Sequence, residues 1–421
     1  MIDIELLRSE QTRQQTIDDL GKRNVAASSV TSLIEADTAW REATEKLEAI
    51  RAKKKTSSSA IATASEDDKA AIITAMQALG VEEKQLEESL AHAEATRTAL
   101  WKQIPNIPLN DVRPGGEEDY QVVATSETPV PPKEETPKDY ITLMGNRIDM
   151  ERGSKVSGAR FTYLSGDLAR LELAVASYVL DTLSGKGFVQ VVPPLLIGEQ
   201  AMAGMGYLDQ AGDEVYKAQD GLYLIGTSEQ SLGAMHMNEI LPLEQLPLRY
   251  CAFSPCFRRE AGSHGKDVKG ILRLHQFDKV EMFSITTPDR AEDEHQFLLT
   301  QQRSIMDSLQ LPYRVIMLAA GDLGSPSAKT YDIETWIPSE GKYRETHSTS
   351  NTTDYQSRRL NIRYRNAEGS TEKAHMLNGT AVALSRLLIA LIEHHQQPDG
   401  SVAIPEALQP YVPFRQLSPN R

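Results

Sequence analysis

Between Thr31 and Ile104 apolar residues recur in steps of seven. Leu33, Trp40 and Leu47 form one row, and Ala36, Ala43 and Ile50 form a second row three residues on. Those offsets are the a and d positions of a heptad and predict a long helix with one apolar stripe. Ile72, Leu79, Leu86, Ala93 and Leu100 keep the same step. Met76, Leu90 and Ile104 support them, in a row that Glu83 and Arg97 interrupt. Between the two sets, residues 56–60 and 65–68 are polar, with helix N-cap character. The pattern predicts an antiparallel coiled-coil hairpin over 31–104, turning near 56–68, with short capping helices before Thr31. Arms of about 35 residues extend about 50 Å at about 1.5 Å per residue. Heptads alone suit an oligomerisation coil as well as a lever that grasps something large. Arg51, Lys53, Lys54 and Lys55 stand near the turn, either to meet phosphates or as a solvated charge run.

The period then changes. Pro105, Pro108, Pro114, Pro129, Pro131, Pro132 and Pro137, with Gly115 and Gly116, make 105–140 a linker that no regular helix crosses. Over 141–421, residues 168–183 read as an amphipathic helix and 381–392 as an apolar one. Residues 188–192, 222–225, 248–257, 271–285, 313–317, 330–336 and 374–377 read as extended. Strand runs with few helices between them predict an α+β body: a mainly antiparallel β-sheet with flanking helices. Three parts result, a helical arm over 1–104, the linker over 105–140 and a body over 141–421.

Composition narrows the function. With 40% hydrophobic and 25% charged residues in 421, the chain can bury a sizeable core. Lys and Arg total 45 against 59 Asp and Glu, a net charge of -14, which excludes holding nucleic acid by bulk charge but not a local basic patch. Cys251 and Cys256 are an odd number of residues apart in a predicted strand, so they face opposite sides and form neither a disulfide scaffold nor a cysteine zinc site. No signal-peptide pattern opens the chain and no run of about 18 apolar residues occurs, so the expectation is a cytoplasmic protein with no membrane partner. A dinucleotide or P-loop fingerprint is also lacking.

The informative alternation lies in 271–282. Arg273, His275, Phe277, Lys279 and Glu281 fall on one strand face, and Leu272, Leu274, Val280 and Met282 on the other. Arg258 and Glu260 share a face in the preceding run. Between the runs lies 261–270, a glycine-rich basic loop carrying His264, Lys266 and Lys269. A solvent-facing side of a sheet also shows charge. Phe277 and the loop favour a charged floor beneath a ligand-covering flap.

The string from Phe257-Arg-Arg-Glu260 through His275-Gln-Phe-Asp-Lys-Val-Glu281 resembles motif 2 of the seryl-tRNA synthetases, class II enzymes. Thr227-Ser228-Glu229 is similar to their T-x-E element. Tyr343-Arg-Glu-Thr-His-Ser-Thr-Ser-Asn351 with Gln356-Ser-Arg-Arg359 resembles the metal-associated segment, and 377–393 resembles motif 3. The arm matches the family's tRNA-binding hairpin, and 168–194 matches its dimer-forming motif 1. The resemblance implies that L-serine is activated by ATP with Mg²⁺ and passed to tRNA-Ser, and to tRNA-Sec where one exists, by a homodimer. It implies Arg258 and Arg386 as catalytic residues, with Arg258 on the α-phosphate and the serine carboxylate. It assigns Thr227, Ser228, Glu229, Glu281, Asn378 and Thr380 to serine, Glu281 taking the hydroxyl and Glu229 the ammonium. ATP falls to Arg258, Glu260, Arg273, Leu274, Phe277, Glu345, Thr346, His347, Ser348 and Arg386. Phe277 would lie beneath adenine, Glu260 at the base edge, Arg386 as a clamp and Arg273 at the γ-phosphate. Glu345 and Ser348 would hold Mg²⁺, as hard oxygen ligands. Arg51, Lys53, Lys54, Lys55, His264, Lys266 and Lys269 would meet tRNA. No general base is assigned, because His264 and His347 read as structural and positioning suffices.

Departures from the common family pattern are His347, Ser385, Thr380 and Ser325; none removes an expected ligand. Two alternatives stay open. One is a specialised seryl-tRNA synthetase paralogue, in antibiotic resistance or, less well matched because of the arm, carrier-protein aminoacylation. The other is a catalytically inactive RNA-binding relative.

Overall fold

The computed structural model describes residues 1–61, 65–131, 137–209, 212–261 and 270–419, with the side chains of 66–68 omitted. Two compact units divide the chain, Ile2–Pro105 and Asn106–Arg421.

In the first unit, short helices Glu5–Arg8 and Glu10–Gly21 precede two long ones, α1 (Ala27–Ile61) and α2 (Glu66–Gln103). With 35 residues, α1 is about 52 Å long at about 1.5 Å per residue. It continues through the polar stretch expected to turn, where Thr56 and Ser59 hydroxyls donate back to the Ala52 and Lys55 carbonyls. Of the rest of the expected turn, 62–64 lie outside the described residues, and α2 has already begun at Glu66.

The facing stripe of α1 is Val30, Leu33, Asp37, Trp40, Ala43, Leu47 and Ile50, so Asp37 takes the inward place expected for Ala36. The reason is a polar knot at the base. Asp37 accepts from Arg8 Nε and Nη2, both at 2.8 Å, and from Arg97 Nε at 2.6 Å. The Arg97 guanidinium lies 4.4 Å from the Trp40 ring and 4.6 Å from the Trp101 ring. Glu83, the other interrupting residue, pairs across the hairpin with Arg51 and Lys54.

The second unit is built on an eight-stranded sheet. In chain order its strands are β1 (Gln121–Thr125), β2 (Val189–Gln190), β3 (Leu248–Phe257), β4 (Gln276–Thr286), β5 (Tyr313–Met317), β6 (Lys329–Ile337), β7 (Lys342–Asn351) and β8 (His375–Ala383). Across the sheet they run β1-β5-β6-β7-β8-β4-β3-β2, antiparallel except for the parallel β2–β3 edge. Helices α3 (Asp167–Ser184), α4 (Ala291–Ser308) and α5 (Leu384–His394) contribute Val175, Leu298 and Leu387 to one core with Val280 and Met282 of β4.

Three expectations change. The supposed linker is partly body: β1 is an edge strand of the sheet, Val112 packs with Ala320 and Leu323, and the Asn106 amide donates to the Pro326 and Thr352 carbonyls. Residues 381–383 belong to β8, and the helix starts at Leu384. β7 is a central strand that no apolar alternation marked. Cys251 and Cys256 are free and buried. Among the described residues no helix is long and apolar enough to cross a membrane.

Candidate active site

β3 and β4 pair in antiparallel register, with Cys256 opposite Phe277 and Ala252 opposite Glu281. The pleat sends Val280 and Met282 into the core and leaves Phe277, Lys279 and Glu281 on the other face. Alternation does not place Arg258, Glu260, Arg273 or His275, which lie beyond the strand ends. Arg258 N–H donates to the His275 carbonyl at 3.0 Å and prolongs the pairing. Glu260 has left-handed backbone (φ 51°), and its carboxylate accepts from Arg273 at 3.1 Å. Local turns and an ion pair, rather than a strand face, thus bring these side chains back over β4.

Two cavities open on this face. One is lined by Arg258, Glu260, Arg273, Leu274, Phe277 and Arg386, with Thr346 and Ser385 at its wall. Its cations converge: the Arg258 guanidinium stands 5.3 Å from the Phe277 ring centroid, and Arg386 Nη1 donates to the Glu345 carbonyl at 2.9 Å. The other cavity, about 380 Å³, is lined by Thr227, Glu229, Glu281, Asn378, Thr380 and Ser348, among others. Arg258, Lys279, Glu345 and Thr380 line both, so the cavities adjoin.

β7 contributes through a bulge. Ile333 pairs with His347 but Glu334 with Glu345, so Thr346 is the extra residue. Residues three apart on a regular strand face opposite ways; the bulge turns Glu345 and Ser348 toward the same cavity. The neighbouring Asp332 on β6 is buried, and its Oδ1 has no partner among the described residues. Burial, then the Glu345 charge, pushes its carboxyl well above the ordinary range.

The same bulge corrects the placing of His347. It is 1% exposed and lines neither cavity; its Nδ1 lies 2.8 Å from Thr346 Oγ1, and burial lowers its pKa to about 4. Ser228 is likewise buried and lines neither cavity. In the arm, Arg51 pairs with Glu83 and Glu87, and Lys54 with Glu83, while Lys53 and Lys55 are exposed with no ion pair among the described residues. His264, Lys266 and Lys269 lie outside the described residues.

A model of the seryl-tRNA synthetase N-terminal domain matches residues 1–108, and a model of the class II tRNA synthetase core domain (G, H, P, S and T) matches 214–395. A serine–tRNA ligase of Thermobifida fusca is 43% identical over 415 residues, covering 98% of this chain and 97% of that one. The chain belongs to the seryl-tRNA synthetase family. Solved seryl-tRNA synthetases agree throughout. That of Pyrococcus horikoshii complexed with ATP superposes with a TM-score of 0.92 at 34% identity, covering 100% of both chains. The cytoplasmic serine–tRNA ligase of Naegleria fowleri in complex with AMP gives 0.88 at 32%, covering 100% of this chain and 99% of that one.

Beyond the residues that the seryl-tRNA synthetase resemblance implies, the site contains three more. Tyr207 Oη and Gln356 Nε2 each donate to Glu229, to Oε2 and Oε1, at 2.8 Å. They stabilise a carboxylate whose pKa burial, then Glu281, pushes up. Lys279 is 4% exposed, paired with Glu281 and bonded to Thr227 Oγ1 at 2.8 Å. Alternation along 273–281 already placed Lys279 beside Glu281. Nothing in the sequence joined Tyr207 and Gln356 to Glu229, since each comes from a separate segment.

Proposed function

We propose that this chain activates L-serine with ATP and transfers the seryl group to tRNA-Ser. In the first step a serine carboxylate oxygen bonds to the α-phosphorus and pyrophosphate leaves. In the second, a hydroxyl of the terminal tRNA ribose takes the acyl group and AMP leaves. The observation that carries this reading is Arg258, which lines both cavities. Its planar fork suits the α-phosphate on one side and the serine carboxylate on the other, where the new bond forms. Phe277 supplies a face for adenine, Glu260 an acceptor for the base edge, and Arg273 and Arg386 fixed cations for the phosphates. Glu229 takes the ammonium, Glu281 the hydroxyl, and Asn378 and Thr380 the remaining polar contacts. The reaction runs on positioning and fixed charge; His347, buried and neutral, supplies no base.

Mg²⁺ fits the residues present. Glu345 and Ser348 face one cavity as hard oxygens, and the unpartnered Asp332 Oδ1 stands close by. The ion would supply charge neutralisation at the phosphates, with Glu345 and Ser348 as its protein ligands. Exposed apolar side chains in the stretch that resembles motif 1 support a homodimer: Leu173 of α3 is 58% exposed, Val189 58% and Val192 96%. The exposed Lys53 and Lys55 support an arm that meets tRNA-Ser, and tRNA-Sec where present. We place the enzyme in the cytoplasm.

Serine-dependent ATP–pyrophosphate exchange tests the first step, and charging of tRNA-Ser and tRNA-Sec the second. Deleting 31–104 is expected to spare exchange and abolish charging; loss of both refutes the division of labour. Equal exchange with alanine or threonine refutes the serine pocket.

A further inference from the structure

Hydrogen-bond accounting around Lys279 leaves little freedom. Its Nζ donates to Thr227 Oγ1 at 2.8 Å and pairs with Glu281 Oε2. Thr227 Oγ1 also accepts from the Glu229 backbone N–H at 3.2 Å. A hydroxyl has one hydrogen and two acceptor lone pairs, so both lone pairs of Thr227 are occupied and its hydrogen is left to donate. Glu281 Oε2 takes Lys279 and, at 3.4 Å, the Thr380 hydroxyl; no described donor reaches Oε1. The ammonium thus stands at the seam of the two cavities, 4% exposed, with its third hydrogen uncommitted.

We propose that Lys279 is a positioning residue for serine selection: it holds Glu281 as an acceptor and Thr227 as a donor, so that both roles of the substrate hydroxyl find a partner. The serine hydroxyl donates to Glu281 Oε1 and accepts from Thr227 Oγ1 or from Lys279 itself. Alanine leaves a buried acceptor and a buried donor unpaired, and is rejected for that reason. A neutral residue at 279 frees a lone pair on Thr227 and removes the cation that Glu281 Oε2 faces. The cavity then no longer distinguishes a hydroxyl so sharply. This rests on the serine-activating reading above and extends it to a residue that the family motif left without a role.

The test is pyrophosphate exchange with serine and with alanine, in the unaltered enzyme and in Lys279→Met. Hydrogen bonds to charged groups are worth about 1.5–3 kcal/mol, so serine kcat/KM should fall roughly 10- to 150-fold. The alanine rate should change less than about 3-fold, so that the serine-to-alanine ratio shrinks by the same factor as the serine rate. Equal losses for both amino acids, with the ratio preserved, overturn the proposal, because a purely structural lysine damages both alike. Lys279→Met can fail to fold by leaving Glu281 uncompensated, and the pair Lys279→Met with Glu281→Gln avoids that by removing both charges. Its serine-to-alanine ratio should fall below that of Glu281→Gln alone, because Thr227 also loses the bond that fixes its donor. A ratio equal to that of Glu281→Gln means that Lys279 does not act on the hydroxyl through Thr227, and overturns the proposal as well. Absence of serine-dependent exchange in the unaltered chain strikes the activating reading itself.

Discussion

Replacing Gln356 by Leu isolates the support beneath Glu229. Gln356 is 0% exposed, and its amide reaches Glu229 Oε1 at 2.8 Å. Leu fills similar volume but offers no donor, so a buried carboxylate loses one of the two donors that face it. The loss is about 1.5–3 kcal/mol, or roughly 10- to 150-fold in serine kcat/KM. KM for ATP should hardly move, because Gln356 lines neither cavity. The pH profile carries a second signal. Burial and Glu281 already push the Glu229 carboxyl upward, and the Gln356 and Tyr207 bonds oppose them. Removing one bond raises it further. In the role proposed for it, Glu229 receives the ammonium only when ionised, so the acid limb of serine kcat/KM should move to higher pH in Gln356→Leu. Initial-rate pyrophosphate exchange, with serine and ATP varied separately from pH 5 to 9, measures both effects. An unmoved acid limb with equal losses for serine and ATP refutes the reasoning and reduces Gln356 to a packing residue.

Asp37→Ala in the arm leaves Arg8 and Arg97 facing each other at a buried position, and should lower arm stability by about 3–5 kcal/mol. Urea unfolding followed by tryptophan fluorescence in a Trp336→Phe background reads this, since two of the three tryptophans, Trp40 and Trp101, flank Arg97. Burial pushes the Asp37 carboxyl up, but Arg8 and Arg97 outweigh it and hold it below the usual range. The stabilisation is therefore whole above the unfolded pKa of about 4 and lost as pH falls through the folded value, and Asp37→Ala should abolish that pH dependence. Phe277→Ala should raise KM for ATP by about 5- to 150-fold, the worth of one stacked base, with KM for serine changed far less; exchange kinetics decide it. Lys53→Glu with Lys55→Glu should flatten the log–log salt dependence of tRNA charging by roughly 1–2 and leave exchange untouched, whereas an unchanged slope removes these lysines from the tRNA surface.

Much of this was legible before any fold was known, because it is local. Heptads report a hairpin through helix geometry alone, and alternation along 273–282 separates Lys279 and Glu281 from Val280 and Met282 through the pleat alone. Legibility failed where a partner from elsewhere decides. Lys342–Asn351 carries almost no apolar residue, yet it becomes a central strand because β6 and β8 satisfy its backbone from both sides. The row that Glu83 and Arg97 interrupt still packs, because Arg51, Lys54 and Asp37 on the opposite helix answer their charges. Prolines in 105–140 excluded helix but not the edge strand Gln121–Thr125.

By itself, then, the order of residues determined the arm, the class of sheet and most of the chemical groups that line the two cavities, since periodicity and motif spacing are properties of neighbours in the chain. Tertiary structure decided which of those groups meet. A bulge at Thr346 aims Glu345 and Ser348 together and turns His347 inward, and Tyr207 and Gln356 close on Glu229 from separate segments. Turns at the ends of β3 and β4, not a shared strand face, bring Glu260 to Arg273. Burial then sets the charge states: water is excluded only once all these segments pack, and the desolvation that makes His347 neutral and pushes Glu229 upward exists in the fold and nowhere along the chain.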